Sequence, residues 1–442
     1  MIEGKRVQMQ KPFQAGAARA VITPAVGTCL YGYVPNWEST SMHDDLTLTA
    51  AAFRQDGQSA LLVSVEVGDI HTDLCGEMRA ALEQETGIPA AHILLSATHT
   101  HSAPNVSGME GWGEIDRPYY EQILLPAVLQ AGRQAIERLR DARIAVGTVR
   151  SEVGINRRQI NPNGSVSLGQ NPFGCFDPQM TVLTIRGTDG AGILNLIHYG
   201  CHGTAAGHNR EITRDWSGVM IDRVERETGI LTAFWNGAEG DVGPRLTNGC
   251  TVGDLSHVQE LGGVAAMDAM RAFRAQGGSH EAALQCFTGE VRLPYSPLPT
   301  LEEVRQKIAS IREPETLVNL QRLTYTHYLA IRRLLESGET QHPTHFSFPF
   351  CAVSLGDVLF VPVPYEIFSE ITLRLRAYLP WAHTLCLSNT NGYEGYFPSQ
   401  DQICRGGYEV DCFCMGKTYN LVPHADQCLI DEVCRILDIR KA

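Results

Sequence analysis

Three segments of the chain carry histidine or glutamate directly after an apolar run. His99 and His101 belong to SATHTHSAP, His202 follows a second apolar run, and Glu366 follows a third. Zn²⁺ binds imidazole nitrogen and carboxylate oxygen, and a catalytic zinc site typically has three protein ligands with one position left for water. His99, His202 and Glu366 therefore predict a zinc site gathered from three strand ends.

Each of these residues also has a simpler interpretation. Residues i and i+2 of an extended chain share one side, so His99 and His101 can point into one cleft, but a bare HxH pattern is also typical of two polar histidines at a strand end. A glutamate placed like Glu366, shortly after Pro364, also favours the first turn of a helix through the helix dipole. Spacing alone leaves both interpretations open.

The segment Asn236–Pro244, NGAEGDVGP, is a glycine-rich loop after an apolar strand. It lacks the GxxxxGK[ST] pattern, so nucleotide binding is not predicted. The glycines favour close approach of the backbone to a substrate, and Asp241 is a candidate for orienting a ligand or water. The crowded C-terminal cysteines contain C-x-C without a second close pair, which favours buried thiols over a zinc knuckle.

Three strand–helix–strand units would position these residues, with helices that end near Gly87, Gly229 and Tyr378. The strands are predicted at Ala60–Val67, Ile93–Leu95, Ile193–Tyr199, Leu231–Trp235, Val358–Val363 and Thr384–Leu387. This pattern predicts an α/β fold with mixed, largely parallel sheets flanked by helices. Ligands of such sheets bind outside the carboxyl ends of the strands, where the candidate residues fall.

Residues 1–442 are interpreted as a single large domain with one helical insertion. The insertion, 298–338, has helical spacing and many charges, with a break at Glu313-Pro314. A lid or a dimer contact is the functional interpretation of such a hairpin. Charged helical faces are usually solvated, so we interpret this segment as a solvated excursion.

Composition excludes some classes of partner. Lys plus Arg is 36 and Asp plus Glu is 49, a net charge of −13, with no basic block. This balance argues against nucleic acid or an anionic membrane as partner. The 13 cysteines are an odd number, and no signal-type N-terminus or bilayer-length apolar run occurs. We therefore expect a cytoplasmic protein with reduced thiols; the oligomeric state is not predicted.

From about Ala15 to its end, the sequence resembles the neutral/alkaline, non-lysosomal ceramidases, a family of zinc amidases. The resemblance rests on the order and spacing of AGAARAVITPAVG, SATHTHSAP, INRR, CHGT, GDVGP, VPVPYE and NGYEGY…GGYE. It implies a fold like the ceramidase catalytic domain and one zinc ion per chain, with ligands at His99, His202, Glu366 and Tyr396. It also implies that the residues around the scissile carbonyl are His101, Arg157 and Tyr408.

The sequence departs from this family at one position that matters for mechanism. Where the family carries a serine regarded as catalytic, this chain has Gly243. We therefore expect zinc-activated water to attack the carbonyl directly, with His101 protonating the leaving amine. The leader and the C-terminal immunoglobulin-like domain of secreted members have no counterpart here, so a small, soluble N-acyl amide is the expected substrate.

Three alternative functions remain open. The same water and the same donors would serve a zinc hydrolase of an ester, lactone or cyclic imide. A metal-free amidase could use Cys201, which precedes His202, as its nucleophile. A non-catalytic binding protein on the same scaffold is the third alternative, suggested by the missing serine.

Overall fold

The structure is a computed structural model that describes residues 11–415 and 417–439. Its strands are β1 Gln14–Val21, β2 Cys29–Leu30, β3 Trp37–Glu38, β4 Ser41–Met42, β5 Thr47–Gln55, β6 Gln58–Val65, β7 Ile93–Ala97, β8 Arg140–Arg150, β9 Gly154–Asn156, β10 Arg158–Ile160, β11 Val166–Leu168, β12 Gln179–Gly187, β13 Gly192–Tyr199, β14 Glu211–Ile212, β15 Thr232–Asn236, β16 Val242–Pro244, β17 Leu284–Pro294, β18 His345–Leu355, β19 Val358–Pro362, β20 Glu366–Ile367, β21 His383–Leu387 and β22 Tyr396–Phe397.

The helices lie between and after these strands. They are α1 Thr72–Thr86, α2 Arg117–Tyr119, α3 Leu125–Glu137, α4 Asp215–Thr228, α5 Leu255–Arg274, α6 Leu301–Ser310, α7 Asn319–Glu336, α8 Ser369–Tyr378, α9 Gln400–Ile403, α10 Tyr408–Met415 and α11 Ala425–Ile436.

Two sheets form the middle of the molecule. The larger has eight strands in the order β15-β13-β12-β8-β1-β5-β6-β7, and the smaller has four in the order β17-β18-β19-β21. Side chains alternate between the two faces of a strand. Leu61 and Val63 of β6 therefore pack with α1 and α3, while Ala60 and Leu62 pack with the smaller sheet. With α4 and α5 beside α3, and α8 and α11 on the far side, the layers run helix, sheet, sheet, helix.

The predicted α/β class with mixed sheets flanked by helices is confirmed, but the strand pairing is largely antiparallel rather than largely parallel. The parallel pairs of these two sheets are β6 with β7, β13 with β15, and β19 with β21. Each joins the two strands of one predicted strand–helix–strand unit. The other neighbours in these sheets pair antiparallel. A parallel pair needs a crossover connection. The three units supply three crossovers, so the two sheets contain three parallel pairs.

The helices of these units begin and end close to the predicted positions. Gly87 and Gly229 adopt left-handed φ values of 71° and 65° directly after α1 and α4, as is common for glycine after a helix. Glu366 is different, because it lies in β20, before α8 begins, and pairs with Tyr396 of β22. The interpretation of Glu366 as a residue of the first helical turn is therefore wrong.

The predicted insertion forms the two helices α6 and α7, placed between β17 and β18. Leu323, His327 and Ile331 on one face of α7 are buried. The opposite face carries charged side chains and is exposed to solvent. The expectation of a solvated excursion is therefore wrong for this face, which packs on the protein.

Among residues 11–415 and 417–439, no helix combines the length and apolarity needed to cross a bilayer.

Candidate metal centre

The loops after β7 and β13 are joined to each other by their backbones. The His101 N–H donates to the Gly203 carbonyl at 3.1 Å, and the Gly203 N–H donates to the His99 carbonyl at 3.2 Å. His99 itself has a φ of 67°, in the left-handed region. Non-glycine residues in this region are uncommon, and such residues cluster at functional sites. The bridge sets the histidines of two distant segments side by side.

Three of the predicted ligands meet at one point. Oε2 of Glu366 lies 3.0 Å from Nε2 of His202 and 3.5 Å from Nε2 of His99. Nε2 of His101 lies 3.3 Å from Nε2 of His99. The side chains of His99, His202 and Glu366 are at most 1% exposed. His99 and Glu366, more than 250 positions apart in the sequence, thus belong to one buried cluster of nitrogen and oxygen atoms.

The hydrogen bonds of His202 show which of its ring nitrogens is free. Nδ1 lies 2.8 Å from the carbonyl oxygen of Glu239 and 3.0 Å from that of Val242. A carbonyl only accepts, so Nδ1 carries a proton. Burial lowers the pKa of His202 well below its ordinary value, so the ring is neutral and Nε2 presents a lone pair to the Glu366 carboxylate. Both of these facing atoms are buried without a hydrogen-bond partner. Two buried acceptors that face each other are costly unless a cation lies between them, so these residues fit a metal ion.

A buried carboxylate orients the other imidazole. Oδ1 of Asp69 lies 3.0 Å from Nδ1 of His99, and the Tyr31 hydroxyl donates to Oδ2 of the same carboxylate. A carboxylate on the far nitrogen of a metal-ligating histidine fixes its tautomer and raises its basicity. Sequence reasoning missed Asp69, although it follows the first predicted strand just as the histidines follow theirs.

The local electrostatics favour positive charge at this point. Burial alone would lower the pKa of His99, but the carboxylates of Asp69 and Glu366 outweigh burial and raise this pKa to about 10. Burial lowers the pKa of His202 and of His101, and the positive charges of Arg157 and His99 lower both further. The cluster therefore holds one imidazole that attracts a proton and two that stay neutral, the form in which histidine binds a metal.

A second group of predicted residues lies beside the histidines. Nη2 of Arg157 donates to the Tyr396 hydroxyl at 3.0 Å, and its Nε donates to Oε1 of Glu409 at 2.8 Å. The Tyr396 ring is stacked on that of His202, 6.5 Å between centroids, and lies 5.7 Å from the Tyr408 ring. The fold thus brings Arg157, Tyr396 and Tyr408 to the edge of the cluster.

Asp241 does not join them, contrary to the role predicted for it in orienting a ligand. Its Oδ1 accepts hydrogen bonds from the backbone N–H and the hydroxyl of Ser369, both at 2.8 Å, at the start of α8. Two other residues of this loop reach the cluster, because the carbonyls of Glu239 and Val242 accept from Nδ1 of His202. Oε1 of Glu239 also accepts from Asn389. Asp241 therefore holds α8 in place, and burial raises its pKa to about 7.

The cluster contains further candidate ligands and supports. His99, His101 and His202 form one group of potential ligands, and Asp69, His99 and Glu366 form another, each with its ligand atoms within 4.8 Å of one another. His101 is thus also placed as a nitrogen ligand, beyond the acid–base role implied by the resemblance. The Tyr393 hydroxyl donates to Oε1 of Glu366 at 2.9 Å. Tyr393 is the first tyrosine of the NGYEGY motif. Sequence reasoning assigned a role to the second tyrosine of this motif, Tyr396, and missed the first.

No protein-family model and no curated protein sequence matches this chain. The solved structures that resemble it include two ceramidases. One is a neutral ceramidase from Pseudomonas aeruginosa, with a TM-score of 0.72 at 17% identity over 98% of this chain and 75% of that one. The other is a ceramidase complexed with C2, with a TM-score of 0.70 at 17% identity over 98% and 76%. The chain therefore has the fold of the neutral ceramidases.

Proposed function

We propose that this protein is a zinc-dependent hydrolase that cleaves the amide bond of an N-acyl substrate. The observation that carries the proposal is the buried contact between the unprotonated Nε2 of His202 and Oε2 of Glu366, 3.0 Å apart, with His99 beside them. Two imidazoles and a carboxylate suit zinc. The likeness to ceramidases in fold supports amide hydrolysis.

Zinc, when bound, would polarise the substrate carbonyl and lower the pKa of a bound water to about 7. His99, His202 and Glu366 would hold the ion, with Tyr396 beside them as the resemblance implies. Asp69 keeps the His99 ring in the tautomer that leaves Nε2 free. The backbone carbonyls behind His202 do the same for that ring.

The neighbouring donors suit the charge that develops on a carbonyl oxygen. Arg157 is fixed on two sides, by Glu409 and by the Tyr396 hydroxyl, so its guanidinium is oriented before substrate arrives. Loss of one such donor typically costs about a hundred- to a thousandfold in rate. His101 has a buried Nδ1 without a partner and is neutral, so we assign it the transfer to the leaving amine of the proton that the attacking water loses.

Gly243 and Cys201 bear on the choice of nucleophile. A Cβ atom at Gly243 would lie 2.6 Å from Cβ of Thr251, so there is no room for the serine that the family carries. The thiol of Cys201 is fully buried, and burial raises its pKa well above the ordinary value. A buried thiol that stays protonated is a poor nucleophile. Both facts support direct attack by water over a covalent mechanism.

The substrate class needs a correction. The sequence predicts a small, soluble amide, whereas both structural neighbours are named as ceramidases, and ceramide is a lipid amide. The fold therefore favours an N-acyl amide with an apolar chain. Esters, lactones and cyclic imides remain the alternative substrates, because the same donors would serve them.

The zinc content and the substrate class can be tested together. We expect about one zinc per chain by mass spectrometry of the purified protein, release of amine from N-acyl amides, and loss of this activity on chelation with recovery on adding zinc. The variant His202→Ala should lose both metal and activity, whereas His280→Ala, on an exposed histidine, should keep both. Full activity in metal-free protein, or sensitivity to iodoacetamide but not to chelator, would contradict the proposal.

Asp69→Asn is expected to weaken zinc binding about 10- to 100-fold while leaving the ligands in place. Asparagine still accepts from Nδ1 of His99, but the negative charge that makes the imidazole more basic is gone. Competition with a fluorescent chelator measures the affinity. The control is Asp357→Asn, which alters an exposed Asp–His pair with His280 and should leave affinity unchanged. Equal affinities for both variants would remove Asp69 from the metal centre.

A further inference from the structure

The helix α7 of the insertion forms part of the wall around the candidate site. Its Leu323 is buried in an apolar cluster with Trp112, Tyr396 and Cys412, and Leu320 packs against the same cluster. Tyr396 also stacks on His202. A helix supplied by the insertion is therefore in contact with the side chains that surround the metal ligands.

A small cavity of about 170 Å³ lies between α7 and the site. Its lining is mixed. The apolar part comes from Met109, Leu323, Tyr393 and Cys412, and the polar part comes from His71, Ser107, Glu110, Glu394 and Lys417. The Tyr393 hydroxyl donates to Oε1 of Glu366 and lies 3.6 Å from Sδ of Met109. Tyr393 thus borders both the metal cluster and the cavity, with the apolar side chains of the cavity beside it.

We propose that this cavity takes the apolar chain of the substrate next to the scissile bond, and that Leu323 limits the length of that chain. The proposal rests on the proposed function, whose substrate it specifies. At the ~30 Å³ that one water molecule occupies in the liquid, the cavity holds about six water-sized groups.

The position of Leu323 depends on a few contacts at the start of α7. The Asn319 N–H donates to the Gly111 carbonyl at 2.9 Å, and Nδ2 of Asn319 donates to the Tyr33 carbonyl at 2.7 Å. Nε of Arg322 lies 2.8 Å from Oε1 of Glu110 in an exposed ion pair. A Cβ atom at Gly111 would lie 2.5 Å from the Asn319 carbonyl oxygen. Gly111 therefore permits the close approach that places Leu323 over the cavity.

The test compares chain-length preference in Leu323→Ala and Leu323→Trp with the wild type. Two series of amides are assayed in zinc-loaded protein, one with acyl chains of increasing length and one with amine chains of increasing length. Near the length limit, one methylene in an apolar pocket changes kcat/KM by roughly tenfold or more. We expect Leu323→Ala to accept longer chains and Leu323→Trp to reject chains that the wild type cleaves. The series that responds identifies which side of the bond occupies the cavity.

The matched control is Ile331→Ala, which removes apolar volume from the same helix about two turns further on. Ile331 is buried but does not line the cavity. If Leu323→Ala and Ile331→Ala give the same preference as the wild type in both series, the proposal is wrong. If the Leu323 variants do not fold, Gly111→Ala replaces them. Its control is Gly27→Ala, where φ is 104° and no atom lies near the added Cβ.

A binding measurement separates this inference from the proposed function. Straight-chain carboxylic acids and amines of increasing length are added, and the shift in melting temperature is recorded for the wild type and both Leu323 variants. We expect stabilisation that grows with chain length in the wild type and stops at a shorter length in Leu323→Trp. If no amide is cleaved but this pattern holds, the proposed reaction fails and the cavity assignment stands. Stabilisation that is independent of Leu323 overturns the assignment.

Discussion

Replacing Glu366 by glutamine is expected to weaken zinc binding by more than about a hundredfold and to abolish the proposed hydrolysis. Loss of a group that merely supports a metal ligand already costs about 10- to 100-fold, and Glu366 faces both His99 and His202. Glutamine keeps the shape of the side chain but removes the negative charge. Competition with a chelator gives the affinity, and the rate of amine release gives the activity.

The same variant has an expected effect on stability that a simple loss of folding would not produce. Without metal, the carboxylate of Glu366 and Nε2 of His202 are two acceptors that face each other. The amide of Glu366→Gln can donate to that nitrogen, which offsets the loss of the negative charge beside His99, so the metal-free variant should fold. Zinc should raise the melting temperature of the wild type but not that of the variant. Glu225→Gln, which changes a partly exposed ion pair with Arg19, is the control and should keep zinc. Retention of one zinc per chain in Glu366→Gln would remove this residue from the metal centre.

Replacing Glu409 by glutamine is expected to lower the free energy of unfolding by about 3–5 kcal/mol. Glu409 accepts from Nε of Arg157 at 2.8 Å and from Nη1 of Arg158 at 2.7 Å, and all three residues are buried. Removal of one member of a buried ion pair leaves a charge without compensation, which costs this much in other proteins. Here it leaves two. Denaturant unfolding of the variant measures the loss.

The control for Glu409→Gln makes the same change in an exposed pair. Glu432 lies 2.9 Å from Arg435, whose side chain is largely exposed, and such pairs contribute about 0–1 kcal/mol. Glu432→Gln should therefore unfold almost as the wild type does. A loss below about 1 kcal/mol in Glu409→Gln as well would mean that water reaches the two arginines. The orientation of Arg157 would then need another cause than its bond to Glu409.

The secondary structure around the site was largely predictable, because it depends on local periodicity and on helix-ending glycines. The apolar runs after which His99 and His202 fall are strands, and Gly87 and Gly229 end the helices of the first two strand–helix–strand units. For Glu366 the sequence left a strand end and a first helical turn both open, since its strand is two residues long and exists through pairing with Tyr396. A strand so short has no periodicity to detect.

Two other errors have a common origin in side-chain direction. Asp241 was chosen from its loop, but its carboxylate turns to Ser369, and the carbonyl of Glu239 supports His202 instead. The insertion helix α7 was interpreted as solvated from its charges, although its buried face meets the site. Which way a loop residue or a helix face turns depends on neighbours that are distant in sequence.

The sequence by itself determined the strand–helix–strand units, the residue types suited to zinc and the segments that carry them. Those features follow from apolar spacing and from the chemistry of imidazole and carboxylate, which act over a few neighbouring residues. Only the tertiary structure decided that His202 and Glu366 face each other with unprotonated atoms, that Asp69 orients His99, and that α7 borders the site. These contacts join chain segments separated by tens to hundreds of residues, and the packing of the whole fold sets their distances.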